Sequence, residues 1–358
     1  MNVVFCNRPD WESSPGGDTI QMLRTKEALE QLGVVVRLAK QPGDLQGADL
    51  VHIFNTQRAE ELLHWAQEAK HSGLPVALST IHWDLSHYIY VANLYKLGID
   101  CSLRDVSLFK LLFDLVAPIA GRLIGKPDYY SSSHRRSVKL LSEQANLLLP
   151  NSEEEARLFF KNYGLKKGKY RVVLNAIEGD LFKLGSGERT TDVICVGRIE
   201  PTKNQLGLLR AVAGRGWSTT LIGRDGENPR YSAALHQLAQ AQRVQVLGNL
   251  PQSQVANQLR QAKVHVLASF RESPGLVTLE ALAMGCNVVV ADSRFCPVDT
   301  YFKDLLGRRV FVCNPYRSDS IALAIEQALR AGNQPMNYVP PQWSEVGQAT
   351  LAAYRELM

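Results

Sequence analysis

Little in this chain is repetitive, strongly charged or continuously apolar, and each of those absences narrows what it can be. No low-complexity block and no long run of like charge interrupts the 358 residues, so nothing reads as a disordered tail. Lys and Arg number 40 against 35 Asp and Glu, a formal net charge of +5. That balance permits anionic ligands or surfaces but does not point to nucleic acid. No apolar run reaches membrane-spanning length. The opening MNVVFCNRPDW reads as a strand entering a turn, without the apolar core of a signal peptide. Six cysteines (Cys6, Cys101, Cys195, Cys286, Cys296 and Cys313) have no metal-ligand spacing, and Cys6, Cys195 and Cys286 lie in or beside strand-like runs. Reduced cysteines there behave as small hydrophobes, so a reducing cytoplasm without disulfides is expected. Asp-x-Asp, a common divalent-ion motif, occurs nowhere.

What is present is the composition of a globular enzyme, with 45% hydrophobic and 21% charged residues and length enough for two domains. In the first half VVFC, VVVRLA, LVHIF, PVALST and ANLLLP are short apolar runs, with helical TIQMLRTKEALEQLG and AEELLHWAQEAKHSG between them. In the second half TDVICVGR, STTLIGR, RVQVLGN, KVHVLASF, CNVVVAD and RRVFVC repeat the scheme. Strands alternating with helices imply parallel βαβ units, hence an α/β class with two doubly wound domains. NAIEGDLFKLGSGERTTD, rich in glycine and polar residues, is the linker candidate.

The stretch ASFRESPGLVTLEALAMGCNVVVAD carries the most chemistry. It reads as a strand end, a turn at Ser273, Pro274 and Gly275, a helix and another strand. Glu272 therefore leaves a strand end and Glu280 lies about one turn into the following helix. In open α/β sheets ligands bind outside the carboxyl ends of the strands, and a helix start favours anions. Two carboxylates around such a start suit a ligand with hydroxyls at both ends and phosphate between, as in a nucleotide sugar. They also fit an ordinary helix with an amphipathic and a surface glutamate. In VGRIEPTKN, Arg198 and Lys203 follow a strand directly and could neutralise a diphosphate, or be solvated surface charges. SSPGGDTIQ puts Gly16 and Gly17 between the first strand and the first helix, and LSTIHWDLSHY puts His82 just past a strand end with Asp84 and His87 following.

Together these segments resemble the retaining glycosyltransferases of the GT-B fold, most closely family 4, over nearly the whole chain. The resemblance implies two Rossmann-like domains facing a cleft. Residues 1–172 would be the acceptor-binding domain, 173–190 a linker and 191–338 the nucleotide-sugar-binding domain. Residues 339–358, with Trp343 and Tyr354, would form a helix packing back on the N-terminal domain. NAIEGDLFKL departs from the family's usual Asn-Gly at Ala176. By resemblance His82 contacts the donor sugar, and Arg198 and Lys203 stabilise the leaving diphosphate. Glu272 meets sugar hydroxyls and Glu280 the ribose, while Gly16, Gly17, Gly275 and Leu276 approach the phosphates. Metal-independent transfer without a cofactor is expected, because the two cations take the metal's electrostatic role. The expected partners are a nucleotide-sugar donor and a glycan, lipid-linked or small-molecule acceptor in bacterial polysaccharide or envelope synthesis. The apolar run and basic, aromatic stretch within 108–139 would allow peripheral contact with the inner face of a membrane. A catalytically inactive scaffold and, further off, a sugar-nucleotide epimerase are the alternatives.

Overall fold

A computed structural model describes residues 1–13, 16–101, 106–124, 132–166, 168–185, 187–333 and 338–358, leaving aside the side chains of 107 and 117–124. The chain runs β1 (Asn2–Cys6), α1 (Gly17–Gln31), β2 (Val35–Leu38), β3 (Leu50–Phe54), α2 (Ala59–His71), β4 (Val76–Ser79), α3 (Ser86–Lys96), α4 (Ser107–Ile124), α5 (Ser132–Gln144), β5 (Leu147–Leu148) and α6 (Glu153–Tyr163). It continues through β6 (Thr191–Val196), a 3-10 turn (Pro201–Lys203), α7 (Gln205–Val212), β7 (Thr219–Ile222), α8 (Pro229–Gln242), β8 (Gln245–Leu247), α9 (Gln252–Arg260), β9 (Ala262–Leu267) and α10 (Leu276–Ala283). Last come β10 (Asn287–Ala291), α11 (Val298–Phe302), a 3-10 turn (Lys303–Leu305), β11 (Val310–Cys313), α12 (Ser318–Ala331) and α13 (Trp343–Arg355).

Each apolar run read above as a strand forms one, and among the described residues every strand pairing is parallel. One sheet has the order β2-β1-β3-β4-β5 and the other β11-β10-β9-β6-β7-β8. β3, β4 and β10 are buried at every position, because helices cover both faces of a parallel sheet. Local caps punctuate the helices. The Ser152 hydroxyl accepts the Glu155 N–H at 2.9 Å to open α6, and Gly164 closes it in the left-handed conformation. All six cysteines are buried and free.

The chain divides into two compact units, one of residues 1–83, 115–176 and 341–358, the other of 84–114 and 177–340. The change at 176/177 falls inside the stretch expected as a linker. Ala176 is fully buried in the first unit's core beside Val173 and Leu149. The segment 84–114, assigned by sequence order to the first domain, packs with the second unit instead. The reason lies in α3, which rests on the Pro201–Lys203 turn and on α8. In the first unit α13 lies on α1, and the Tyr354 hydroxyl meets buried His52 Nδ1 at 2.5 Å. The other nitrogen of His52 meets Ser79 Oγ at 2.9 Å, so the last helix is bonded into the sheet.

Candidate functional site

In the second unit the sheet order reverses between β6 and β9, the topological switch point where open α/β sheets bind ligands. Both charged motifs of the sequence arrive there. β6 leaves the sheet through Gly197 and Arg198, and β7 through Gly223 and Arg224. The two exits touch: Ile199 N–H donates to Arg224 O at 2.9 Å, and a Cβ on Gly223 would sit 2.1 Å from Gly197 O. Only glycine permits that approach. It fixes where Arg198 leaves the sheet.

The turn carrying Lys203 is held from several sides. Phe270 N–H donates to Thr202 O at 2.8 Å. Asn204, in the left-handed conformation, donates its amide to Ala268 O at 3.1 Å and Pro315 O at 2.7 Å. Gln205 Nε2 donates to Arg198 O at 2.7 Å. Lys203 Nζ, so positioned, donates to Glu272 Oε1 at 2.6 Å, and Glu272 is only 8% exposed. The Glu272 backbone is fixed in turn, its N–H donating to Phe295 O at 2.8 Å. Arg198 is more open, with Glu200 Oε2 3.8 Å from its guanidinium, beyond hydrogen-bond length. Behind Lys203, His265 is wholly buried with neither ring nitrogen bonded, and burial, then the Lys203 charge, lowers its pKa to about 3. It stays neutral and adds no charge to the site.

Gly275 precedes α10 with φ +86°, and a Cβ there would lie 2.9 Å from a Leu267 methyl and 3.0 Å from Glu272 Oε2. Leu276 is the first residue of α10, and Glu280 lies in its second turn, partly exposed. Burial, and then the neighbouring Glu178, raise the Glu280 carboxyl to about 8. At neutral pH it is therefore largely protonated in the free protein. Glu178 and Asn204 are site neighbours that the sequence reading passed over. Asn204 directly follows Lys203, and Glu178 stands where the linker motif has its acid, so both had a signal. The structure thus gathers Arg198, Lys203, Glu272, Gly275, Leu276 and Glu280 into one unit.

Gly16, Gly17 and His82 belong to the other unit. Gly17 opens α1 and Gly16 is its N-cap. The helix start already faces a carboxylate: buried Asp18 accepts from Arg8 Nε at 2.8 Å and from Asn55 Nδ2 at 3.2 Å. His82, expected to contact the donor sugar, lies in the core of this unit. It is 1% exposed, its ring lies edge-on to Phe159 and Tyr163, and its Nε2 meets Asn162 Nδ2 at 3.1 Å. Its N–H donates to Glu155 Oε1 at 2.9 Å, which draws the residue into the core against α6. Among the described residues no group of three or more His, Cys, Asp or Glu could hold a metal ion.

Known proteins resemble the chain in sequence over its second half and in fold along its length. Residues 177–340 match the family model of the glycosyl transferases group 1. A D-inositol 3-phosphate glycosyltransferase 2 of Catenulispora acidiphila is 30% identical over 179 residues, 42% of this chain and 40% of that protein. The N-acetylgalactosamine-N,N'-diacetylbacillosaminyl-diphospho-undecaprenol 4-alpha-N-acetylgalactosaminyltransferase of Campylobacter jejuni is 27% identical over 199 residues, 53% of each chain. The chain thus spans about half the length of these relatives. In fold it is similar along its length to sucrose-phosphate synthase from Thermosynechococcus elongatus, with TM-score 0.72, 14% identity and coverage of 100% and 99%. It is likewise similar to Anabaena HepE in complex with UDP, with TM-score 0.66, 17% identity and coverage of 99% and 95%. The fold is GT-B.

Proposed function

We propose that the chain, whose residues 177–340 match the family model of the glycosyl transferases group 1, is a retaining glycosyltransferase. It moves a sugar from a nucleoside-diphosphate sugar to a glycan, lipid-linked or small-molecule acceptor. The observation that carries this reading is the Lys203–Glu272 pair at 2.6 Å at the switch point, with the more open Arg198 also leaving β6 there.

The chemistry follows from the charges. The bond from the sugar's C1 to the diphosphate oxygen breaks, and the acceptor oxygen bonds to C1 on the same face. The acceptor's proton passes to the leaving phosphate. Negative charge grows on the β-phosphate oxygens, and Lys203 and Arg198 stabilise it more than the ground state. Losing one such group typically lowers turnover about 10²–10³-fold. Glu272 accepts hydrogen bonds from sugar hydroxyls and Glu280 from the ribose, while the N–H groups of Gly275 and Leu276 meet the diphosphate. The two cations supply the charge that a divalent ion would bring, so transfer proceeds without one.

The relatives' names include a phosphorylated inositol and a diphospho-lipid glycan. On that likeness the acceptor belongs to bacterial polysaccharide or envelope synthesis, at the cytoplasmic side of the membrane. One observation favours peripheral membrane contact. In α4, Leu108, Phe109, Leu111 and Leu112 are 80, 59, 70 and 60% exposed, whereas Lys110 is 8% exposed and paired with Asp114. That inverted burial leaves an apolar helix face outward. Within the 108–139 stretch, residues 125–131 and the side chains of 117–124 lie outside the described residues, and no helix among those described is long and apolar enough to cross a membrane.

The test is calorimetric binding of UDP-, GDP-, ADP- and dTDP-linked sugars in excess chelator. Micromolar binding of one base, with transfer surviving chelation, is expected. No binding overturns the reading. Binding without transfer or donor hydrolysis favours a catalytically inactive binding subunit.

A further inference from the structure

The helix α3 follows the fourth strand of the first sheet in sequence, yet it belongs to the second unit. Both of its ends are bonded into the scaffold that holds Arg198 and Lys203. At its start, Asp84 Oδ1 accepts the Ser86 N–H at 2.8 Å. His87 then enters an aromatic cluster, its Nδ1 2.7 Å from the Tyr316 hydroxyl and its ring edge-on to Phe295 at 4.8 Å. Tyr316 packs on Phe270 at 4.8 Å, and the carbonyl of Phe295 is the one that accepts the Glu272 N–H. At the far end Arg230 donates to Lys96 O at 2.7 Å, and Tyr95 lies edge-on to Tyr231 at 4.9 Å. The Tyr231 hydroxyl donates to Gln205 Oε1 at 3.2 Å, and Gln205 is the residue that holds the Arg198 carbonyl.

Tyr88, next to His87, is the residue this arrangement leaves unused. It is partly exposed, and its hydroxyl makes no hydrogen bond among the described residues. Its ionisation is pushed up by burial first and then by Glu200, with Arg271, Glu227 and Arg198 also near enough to act on it. It is thus a neutral phenol, able to donate, on the helix that packs against the Pro201–Lys203 turn following β6. Such a group among guanidinium and carboxylate neighbours suits a phosphate oxygen or a sugar hydroxyl.

We propose that Tyr88 holds the diphosphate-sugar end of the donor by a hydrogen bond from its phenol, and that the His87–Tyr316 bond positions the helix presenting it. The proposal rests on the glycosyltransferase reading above. It makes α3 part of the donor site although the segment lies far from that site's motifs in sequence.

The experiment compares the unmodified chain with Tyr88→Phe and Tyr316→Phe, using whichever of UDP-, GDP-, ADP- or dTDP-glucose the unmodified chain binds. Tyr88→Phe keeps the ring and removes one hydroxyl. It is expected to raise the donor KM roughly 3- to 30-fold with kcat changed less than about 2-fold. Binding of the matching nucleoside monophosphate, which lacks the diphosphate-sugar end, and the thermal midpoint stay unchanged. Tyr316→Phe removes only the bond to His87 and raises KM by a smaller factor. An unchanged KM in Tyr88→Phe, or an equal loss of monophosphate binding, overturns the role of Tyr88. An unchanged KM in Tyr316→Phe overturns the positioning bond. If the unmodified chain binds none of the four donors, the glycosyltransferase reading falls and takes this proposal with it.

Discussion

Each sheet of this protein has a switch point, and the two differ in how completely their charges are paired. In the first sheet the order reverses between β1 and β3, where Arg8 and Asn55 emerge. There Arg8 donates to Asp18 and Asp10 at 2.8 Å each, Arg58 donates to the same Asp10 at 2.6 Å, and Asn55 reaches Asp18. Nearby, buried Glu155 accepts from the Thr80 hydroxyl and from the backbone N–H groups of His82 and Asn151, at 2.9 and 3.1 Å. In the second sheet Lys203 and Glu272 hold each other, Arg198 among the described residues has only Glu200 at 3.8 Å as an ion-pair partner, and Glu280 feels the charge of Glu178. The lesson is that formal charge does not mark a binding site. Buried charges that satisfy one another or the backbone hold a fold together, and charges left with room to change partner can meet a ligand.

The largest effect that would break the comparison is at Lys203. Lys203→Ala should lower turnover about 10³-fold while leaving the fold intact, measured by steady-state transfer beside circular dichroism. A collapse of the fold instead would make Lys203 a structural cation like Arg8. Next is Glu155→Ala, which leaves several buried donors without their carboxylate. It should destabilise the first unit by about 3 kcal/mol, read from urea unfolding, with donor affinity of the folded protein unchanged. Altered donor affinity would blur the line between the two regions.

Glu280 sharpens the contrast through pH. Its folded pKa, about 8, lies above the ordinary carboxyl value, so the fold favours the protonated form. The sign follows: its contribution to stability is full at low pH and is lost as pH rises through about 8. If the ribose hydroxyls donate to the carboxylate, donor affinity rises as pH goes from 6 to 8. Glu280→Gln should weaken binding roughly tenfold at pH 8 and flatten that profile in calorimetric titrations. A profile unchanged by the substitution would remove Glu280 from the ribose. The smallest effect is expected at Tyr354→Phe. Burial keeps His52 neutral by lowering its pKa to about 3, so losing its partner should cost about 1 kcal/mol, evenly from pH 5 to 8 in thermal unfolding. A cost confined to acid pH would mean that His52 is charged.

Much of this was legible in the sequence. The strands among the described residues are there as short apolar runs because parallel strands, buried on both faces, need apolar residues at most positions. Their alternation with helices admits few architectures. Arg198, Lys203, Glu272 and Glu280 could be picked out because each sits at a fixed offset from a strand end, and a strand end has one direction in space. Gly275 could be picked out as well, since a turn between strand and helix needs a residue free to adopt positive φ.

What the sequence could not carry were contacts between segments far apart in the chain. His82 has the same local signature as a ligand-facing histidine, a strand end followed by polar residues. Only the packing of α6, which brings Phe159, Asn162 and Tyr163 against its ring, turns it into the core. The membership of α3 in the second unit likewise depends on Tyr316 and Arg230, residues 229 and 134 positions away from their partners. Periodicity and turn chemistry are local, so the sequence by itself determined the elements, their parallel pairing and the strand ends that bear charge. Which of those charges are already satisfied, and which remain available to a ligand, is a matter of distances across the fold, and only the tertiary structure decided it.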